Sequence, residues 1–208
     1  MNTNEGRRRR EDTQVKIRKD KREQGLQKRR AMANMNEVPA ATLGTNATEP
    51  MQTTSSSNST GSTTLSRISK LKQQIHQTNP SQQSVYDAVE GFRKLLSVEI
   101  NPPVQEVIDS GILPTLVQIL TLTPPHPQDK NDLTEKIQFE ASWALTNIAS
   151  SDKTAAVVDH GAVPHLVRLT TSSDSNLREQ CIWCLGNISG DSSRLRDIVL
   201  QNQAMPPV

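Results

Sequence analysis

Trp143-Ala-Leu-Thr-Asn147-Ile-Ala149 and Trp183-Cys-Leu-Gly-Asn187-Ile-Ser189 are near-copies of one phrase, 40 positions apart. In a helix, residues i and i+4 lie one above the other on the same face. Trp143 and Asn147 therefore share a stripe, and so do Trp183 and Asn187. Leu145 with Ile148, and Leu185 with Ile188, fall on a second face that suits a core. A period near 40 residues marks a helical solenoid, in which each repeat stacks on its neighbours. Helices in such a stack sit roughly 10 Å apart, so the two Trp/Asn pairs form adjacent rungs of a ladder. An Asn amide can both donate to and accept from an extended peptide backbone. An indole face takes the stem and cation of Lys or Arg, with about 0.5–2 kcal/mol of cation–π attraction. For one pair alone, core and cap roles are the simpler explanation. A pair repeated in phase favours the ladder.

Outward from these phrases the same triplet of helices recurs. One unit comprises Leu133–Ser150, Thr154–His160 and Ala162–Leu169, with a corner at Gly161-Ala-Val-Pro164. The unit before it comprises Ser81–Val98, Val104–Ser110 and Ile112–Leu120, with a matching corner at Gly111-Ile-Leu-Pro114. The corners are 50 apart, and the proline-rich insertion at Thr123–Asp132 accounts for the extra ten residues. A third unit starts near Ser175, continues through Ser193–Gln201, and reaches Ala204-Met-Pro-Pro-Val208, where its last helix should begin. The expectation is a fragment or truncated product whose last unit has an uncovered apolar face. Ahead of the units, Leu65, Ile68, Leu71 and Ile75 mark one face of a further helix, broken at Asn79-Pro80.

The amino-terminal part differs in kind. The whole chain has a formal charge of +2, but residues 1–30 carry 12 Lys/Arg against 5 acids, a net of +7, leaving −5 for the rest. A basic arm joined to an acidic body predicts mutual attraction. Within the arm, Gln14–Glu23 is rich in helix formers but has too few apolar residues to pack on its own chain, so it folds on a partner. Residues 35–64, rich in Ser, Thr and Asn, are a flexible linker. Its span of roughly 30–35 Å lets Lys28-Arg29-Arg30 reach back over the solenoid. No apolar run is long enough to cross a membrane, and the basic N-terminus lacks the apolar stretch of a secretory signal.

Three helices per unit with a Gly-x-x-Pro corner resemble the armadillo pattern. The stretches Arg7–Arg30, Phe92-Arg-Lys-Leu-Leu-Ser97, Phe139–Ser150 and Glu179–Asp191 resemble importin-α, the adaptor family that carries basic nuclear localisation signals to importin-β. The resemblance implies an all-α, right-handed superhelical solenoid of about two and a half repeats (about 65–128, 129–172 and an incomplete 173–208). A basic helical importin-β-binding arm (1–34) and a disordered linker (35–64) precede it. It implies importin-β contacts through Arg7, Arg8, Arg9, Arg10, Lys16, Arg18, Lys19, Lys21 and Arg22. It implies signal binding by Trp143, Asn147, Thr154, Gln180, Trp183, Asn187 and Asp191, the last pairing with a lysine of the signal. Lys28, Arg29 and Arg30 then act as an internal mimic of the signal, an autoinhibitor at an effective concentration of about mM order. The partners implied are importin-β and cargo proteins with Lys/Arg-rich signals, with shuttling between cytoplasm and nucleus. Because the family carries further repeats, the expectation is that this chain lacks them, and with them the minor signal site and the export surface.

Two alternatives belong to other classes. A nucleic-acid-binding protein would use the basic arm, although the arm has no aromatics for base stacking. An armadillo scaffold for non-basic partners would want a basic groove, whereas this body is acidic. Cys181-Ile-Trp-Cys184 has redox-motif spacing but lies inside a helix, with no second pair for zinc. His76, His126, His160 and His165 form no ligand pattern, and no nucleophile elbow supports catalysis. The expectation is a binding protein, not an enzyme, with no cofactor, no metal, no membrane insertion and no nucleic-acid partner.

Overall fold

The computed structural model describes residues 59–98, 100–124 and 132–204. The arm residues Arg7–Arg10, Lys16, Arg18, Lys19, Lys21, Arg22 and Lys28–Arg30 lie outside this set. Among the described residues the structure is helical, with no strand. In chain order the helices are α1 (Ser59–Ile75), α2 (Gln82–Leu96), α3 (Val104–Asp109), α4 (Leu113–Leu120), α5 (Thr134–Ala149), α6 (Thr154–Asp159), α7 (Ala162–Leu169), α8 (Ser175–Ser189) and α9 (Ser193–Gln201). α1 starts at Ser59, inside the stretch read from sequence as linker.

Local chemistry sets the helix starts. The Ser81 side chain caps α2 by accepting from the Ser84 N–H at 3.1 Å. Asp174 caps α8 by accepting from the N–H groups of Asn176 and Leu177 at 2.7 and 3.0 Å, and Ser192 caps α9 through the Leu195 N–H. Such side chains satisfy amide donors that have no partner within the helix. The predicted corners are real and backbone-driven. Gly111 and Gly161 sit at φ +72° and +78°, a left-handed conformation that costs an L side chain about 1–2 kcal/mol. A Cβ on Gly161 would meet no atom within 4 Å. Gly161→Ala is therefore expected to cost about 1 kcal/mol through the backbone alone, seen as a lower urea midpoint with an unchanged slope.

The long helices α2, α5 and α8 lie side by side, with α5 between the other two. Phe92, Leu96, Leu116, Leu145, Ile148, Leu166, Leu177 and Ile188 fill one continuous core. Ile68 of α1 joins it, and Leu71 and Ile75 pack at its edge. Leu65, the fourth member of that predicted face, is instead 53% exposed and borders an open cavity with Val98, Ile100 and Pro103. α5 is buried almost all round, polar residues included. Gln138 donates to the carbonyls of Leu120 and Leu122 at 3.1 and 2.9 Å, and Arg168 also donates to the Leu120 carbonyl. These bonds satisfy carbonyls at the end of α4 that have no partner in their own helix. No helix among the described residues is long and apolar enough to cross a membrane.

Candidate functional site

Residues at matching positions of the three long helices form one row. α5 supplies Trp143 and Asn147, and α8 supplies Trp183 and Asn187. Both indoles are half-buried, and both asparagines are buried. Asn147 Nδ2 donates to Ser97 Oγ of α2's C-cap at 3.0 Å, while its Oδ1 accepts nothing among the described residues. Asn187 Nδ2 lies 3.3 Å from the Thr146 carbonyl of α5. The asparagines thus tie neighbouring long helices together, a role distinct from the core and cap roles that sequence had set against the ladder. The Asn147 NH2 still has a second hydrogen.

The other predicted members divide into two groups. Gln180 is buried and donates to Thr146 Oγ1 at 2.7 Å, so it serves the α5–α8 contact. Thr154 opens α6 and brings its Oγ1 within 3.2 Å of Asp191 Oδ1. Its hydroxyl also lies 2.9 Å from the Ala149 carbonyl, which anchors it at the end of α5. The structure therefore places Asp191 at the foot of the Trp183/Asn187 rung, beside the α5–α6 turn.

Sequence reasoning assigned no role to α2's own rung. Arg93 and Ser97 precede Trp143 and Asn147 by 50 positions, the spacing of the two corners. The Arg93 guanidinium lies 4.7 Å from the centre of the Trp143 ring. Its Nε donates to Glu140 Oε2 at 2.8 Å, and its Nη2 lies 3.5 Å from Glu90 Oε1. Phe139 meets Trp143 edge-on, with ring centres 5.6 Å apart. Burial pushes the Glu140 carboxyl above its ordinary 4.5, against the opposing pull of Arg93. The corner spacing carried the signal for Arg93, but a lone Arg on an amphipathic helix usually reads as a solvated charge.

Both cysteines are buried. Burial pushes the Cys181 thiol up to about 11 and the Cys184 thiol up to about 12. The thiolate is the reactive form, so neither is expected to react with iodoacetamide at pH 8 in the folded protein. Mass spectrometry should show both alkylated only after denaturation. Among the described residues no three His, Cys, Asp or Glu side chains converge as a metal-ligand set.

Stacked three-helix units, glycine corners and Trp/Asn rungs along the long helices define an armadillo-repeat protein. An armadillo/beta-catenin-like repeat model matches residues 150–190, and an importin beta binding domain model matches residues 1–87. The chain belongs to the importin-α family. It is 42% identical to importin subunit alpha-2 of Arabidopsis thaliana over all of its length and 36% of that protein's. It is 40% identical to importin subunit alpha-1a of Oryza sativa subsp. japonica, again over its whole length and 35% of the relative's. The chain thus spans about a third of the length of the curated relatives it matches. Among solved structures, an engineered protein shares 29% identity at a TM-score of 0.55, with 66% of this chain and 52% of that one covered. A designed armadillo repeat protein in complex with peptide (KR)4 aligns at a TM-score of 0.56 and 23% identity, over 67% of this chain and 54% of that one. That likeness concerns the fold alone.

Proposed function

We propose that this chain acts in nuclear import as an adaptor. It binds Lys/Arg-rich localisation signals along the Trp/Asn rows and importin-β through Arg7–Arg10, Lys16, Arg18, Lys19, Lys21 and Arg22. The observation that carries this is the pair of rungs, Trp143/Asn147 and Trp183/Asn187, on adjacent helices, with Asp191 beside the second. The half-buried indoles offer π surface to a cation, and Asp191 supplies opposite charge. The chain itself makes the same kind of contact where the Arg93 cation stacks on Trp143. In this proposal residues 1–34 form the importin-β-binding arm, 35–64 the tether and 65–208 the groove-bearing repeats, with shuttling between cytoplasm and nucleus. The arm has two exclusive sites, importin-β and its own groove, so importin-β opens the groove by linkage.

Neutralising the mimic tests this in the full chain. Lys28→Ala/Arg29→Ala/Arg30→Ala is expected to tighten binding of a labelled Lys/Arg-rich peptide about tenfold, as removal of a tethered competitor should. Added importin-β should give a similar gain in the unaltered chain and none in the variant. Peptide binding that weakens with the triple substitution would place the ligand-binding surface on the arm and overturn the proposal. Tight, salt-sensitive binding of RNA through the arm would favour the nucleic-acid alternative.

A further inference from the structure

Arg93 stands at the Trp position of the first rung. α2 thus presents Arg93 and Ser97 where α5 presents Trp143 and Asn147 and α8 presents Trp183 and Asn187. It is a fixed cation. The side chain is buried, with its Nε on Glu140 at 2.8 Å, its Nη2 near Glu90 at 3.5 Å, and its Cζ over the Trp143 ring, 4.7 Å from the centroid. Lys94 pairs with the other Glu90 oxygen at 3.3 Å. Among the described residues two cations and two carboxylates therefore balance at this end of the row, and one indole face is already taken.

We infer that Arg93 is a specificity-determining residue that closes the run of cation-accepting positions at α2, so that the groove gains nothing from a ligand Lys or Arg placed beyond Trp143. This rests on the proposed groove. A ligand cation needs a π face or an unpaired carboxylate to offset its lost hydration. At α2 Arg93 occupies both. Selection by prior occupancy of this kind rejects a residue without building a separate clash. Ser97, in the Asn position, uses its hydroxyl to donate to the Arg93 carbonyl at 2.8 Å and to accept from Asn147, so it too is turned towards the protein.

The test uses the full chain and three labelled, capped peptides. The core peptide is Lys-Arg-Lys-Arg between alanines. The other two add Lys-Ala-Lys at its amino or its carboxyl end. For the unaltered chain, one of the two extensions should change Kd less than about twofold, beyond what an equally charged but scrambled extension does. With Arg93→Ala that same extension should tighten binding about tenfold, because its cation can take the vacated place between Trp143 and Glu140. Arg93→Gln, which keeps a hydrogen bond to Glu140 and protects folding, should give a smaller gain of about threefold. Circular dichroism melting confirms that each variant is folded. Equal responses of all three proteins to both extensions, with the core peptide still bound, overturn the role of Arg93 and leave the groove standing. Loss of core-peptide binding in every protein overturns the groove assignment and this inference with it.

Discussion

Trp183→Ala/Asn187→Ala is expected to weaken binding of a Lys/Arg-rich peptide about a hundredfold while leaving the chain folded. Truncating a central aromatic and its polar partner at a binding site costs about 2–4 kcal/mol, and about 2.8 kcal/mol is a hundredfold. The Asn187 amide lies a long 3.3 Å from the Thr146 carbonyl. Losing that bond should cost about 1 kcal/mol or less. The Trp183 indole is half-exposed, so its removal opens no deep cavity. Fluorescence anisotropy measures the binding and urea melts measure the stability. The discriminating comparison is Leu185→Ala, from the buried face of the same helix. It should cost about 2–4 kcal/mol of stability and leave the affinity of the remaining folded protein within about threefold. If the two variants lose affinity equally once both are shown to be folded, the rungs are not the binding surface.

The second large effect belongs to stability. Glu140→Ala removes the closer partner of a buried guanidinium and is expected to cost about 3 kcal/mol, the low end of the range for breaking a buried pair. The low end applies because Glu90 stays within 3.5 Å of Arg93. Exchanging both partners for apolar residues, as Arg93→Met/Glu140→Met, should recover most of that loss, since the pair's attraction barely repays its desolvation. Acid behaviour follows from the same balance. Burial holds the folded-state Glu140 carboxyl above its ordinary 4.5, so the folded protein binds a proton that the unfolded chain has already released. This contribution to stability is fully present below about 4.5 and is lost as pH rises through the folded-state value. In Glu140→Gln it should vanish. The melting temperature of the unaltered chain minus that of Glu140→Gln is therefore expected to fall as pH rises from 4 upward. A difference that rises over that window would mean that Arg93 outweighs burial.

Much of the repeat architecture is legible in sequence because it is periodic. The repeated Trp/Asn phrase, the two Gly-x-x-Pro corners and the apolar face of α2 each reflect a local requirement of helix or turn. α5 is harder to read. Packed on both flanks, it buries Gln138, Glu140, Ser142 and Thr146, so its polar residues do not mark a solvent face and its amphipathic pattern is faint. Leu65 misleads in the opposite direction, apolar and in phase yet exposed. Arg93 and Glu140 are 47 positions apart, and a pairing of charges at that distance has no local signature. For the same reason the sequence offered Asn147 and Asn187 as ligands for a peptide but not as ties between helices.

Those ties make the ladder a ruler. Asn147 holds α5 to the end of α2, and Asn187 holds α8 to α5, so the step between rungs is set by how closely the long helices pack. Helix axes pack about 8–10 Å apart, and an extended peptide advances about 3.3 Å per residue. One step therefore spans between two and three ligand residues. The side chains that set the step are small: Ser142 Oγ meets Cys181 Sγ at 3.5 Å between α5 and α8. Enlarging either would lengthen the step without altering any residue of the ladder, and the preferred spacing of ligand cations would lengthen with it. In the proposed groove the pitch of recognition is thus encoded in the interior of the stack.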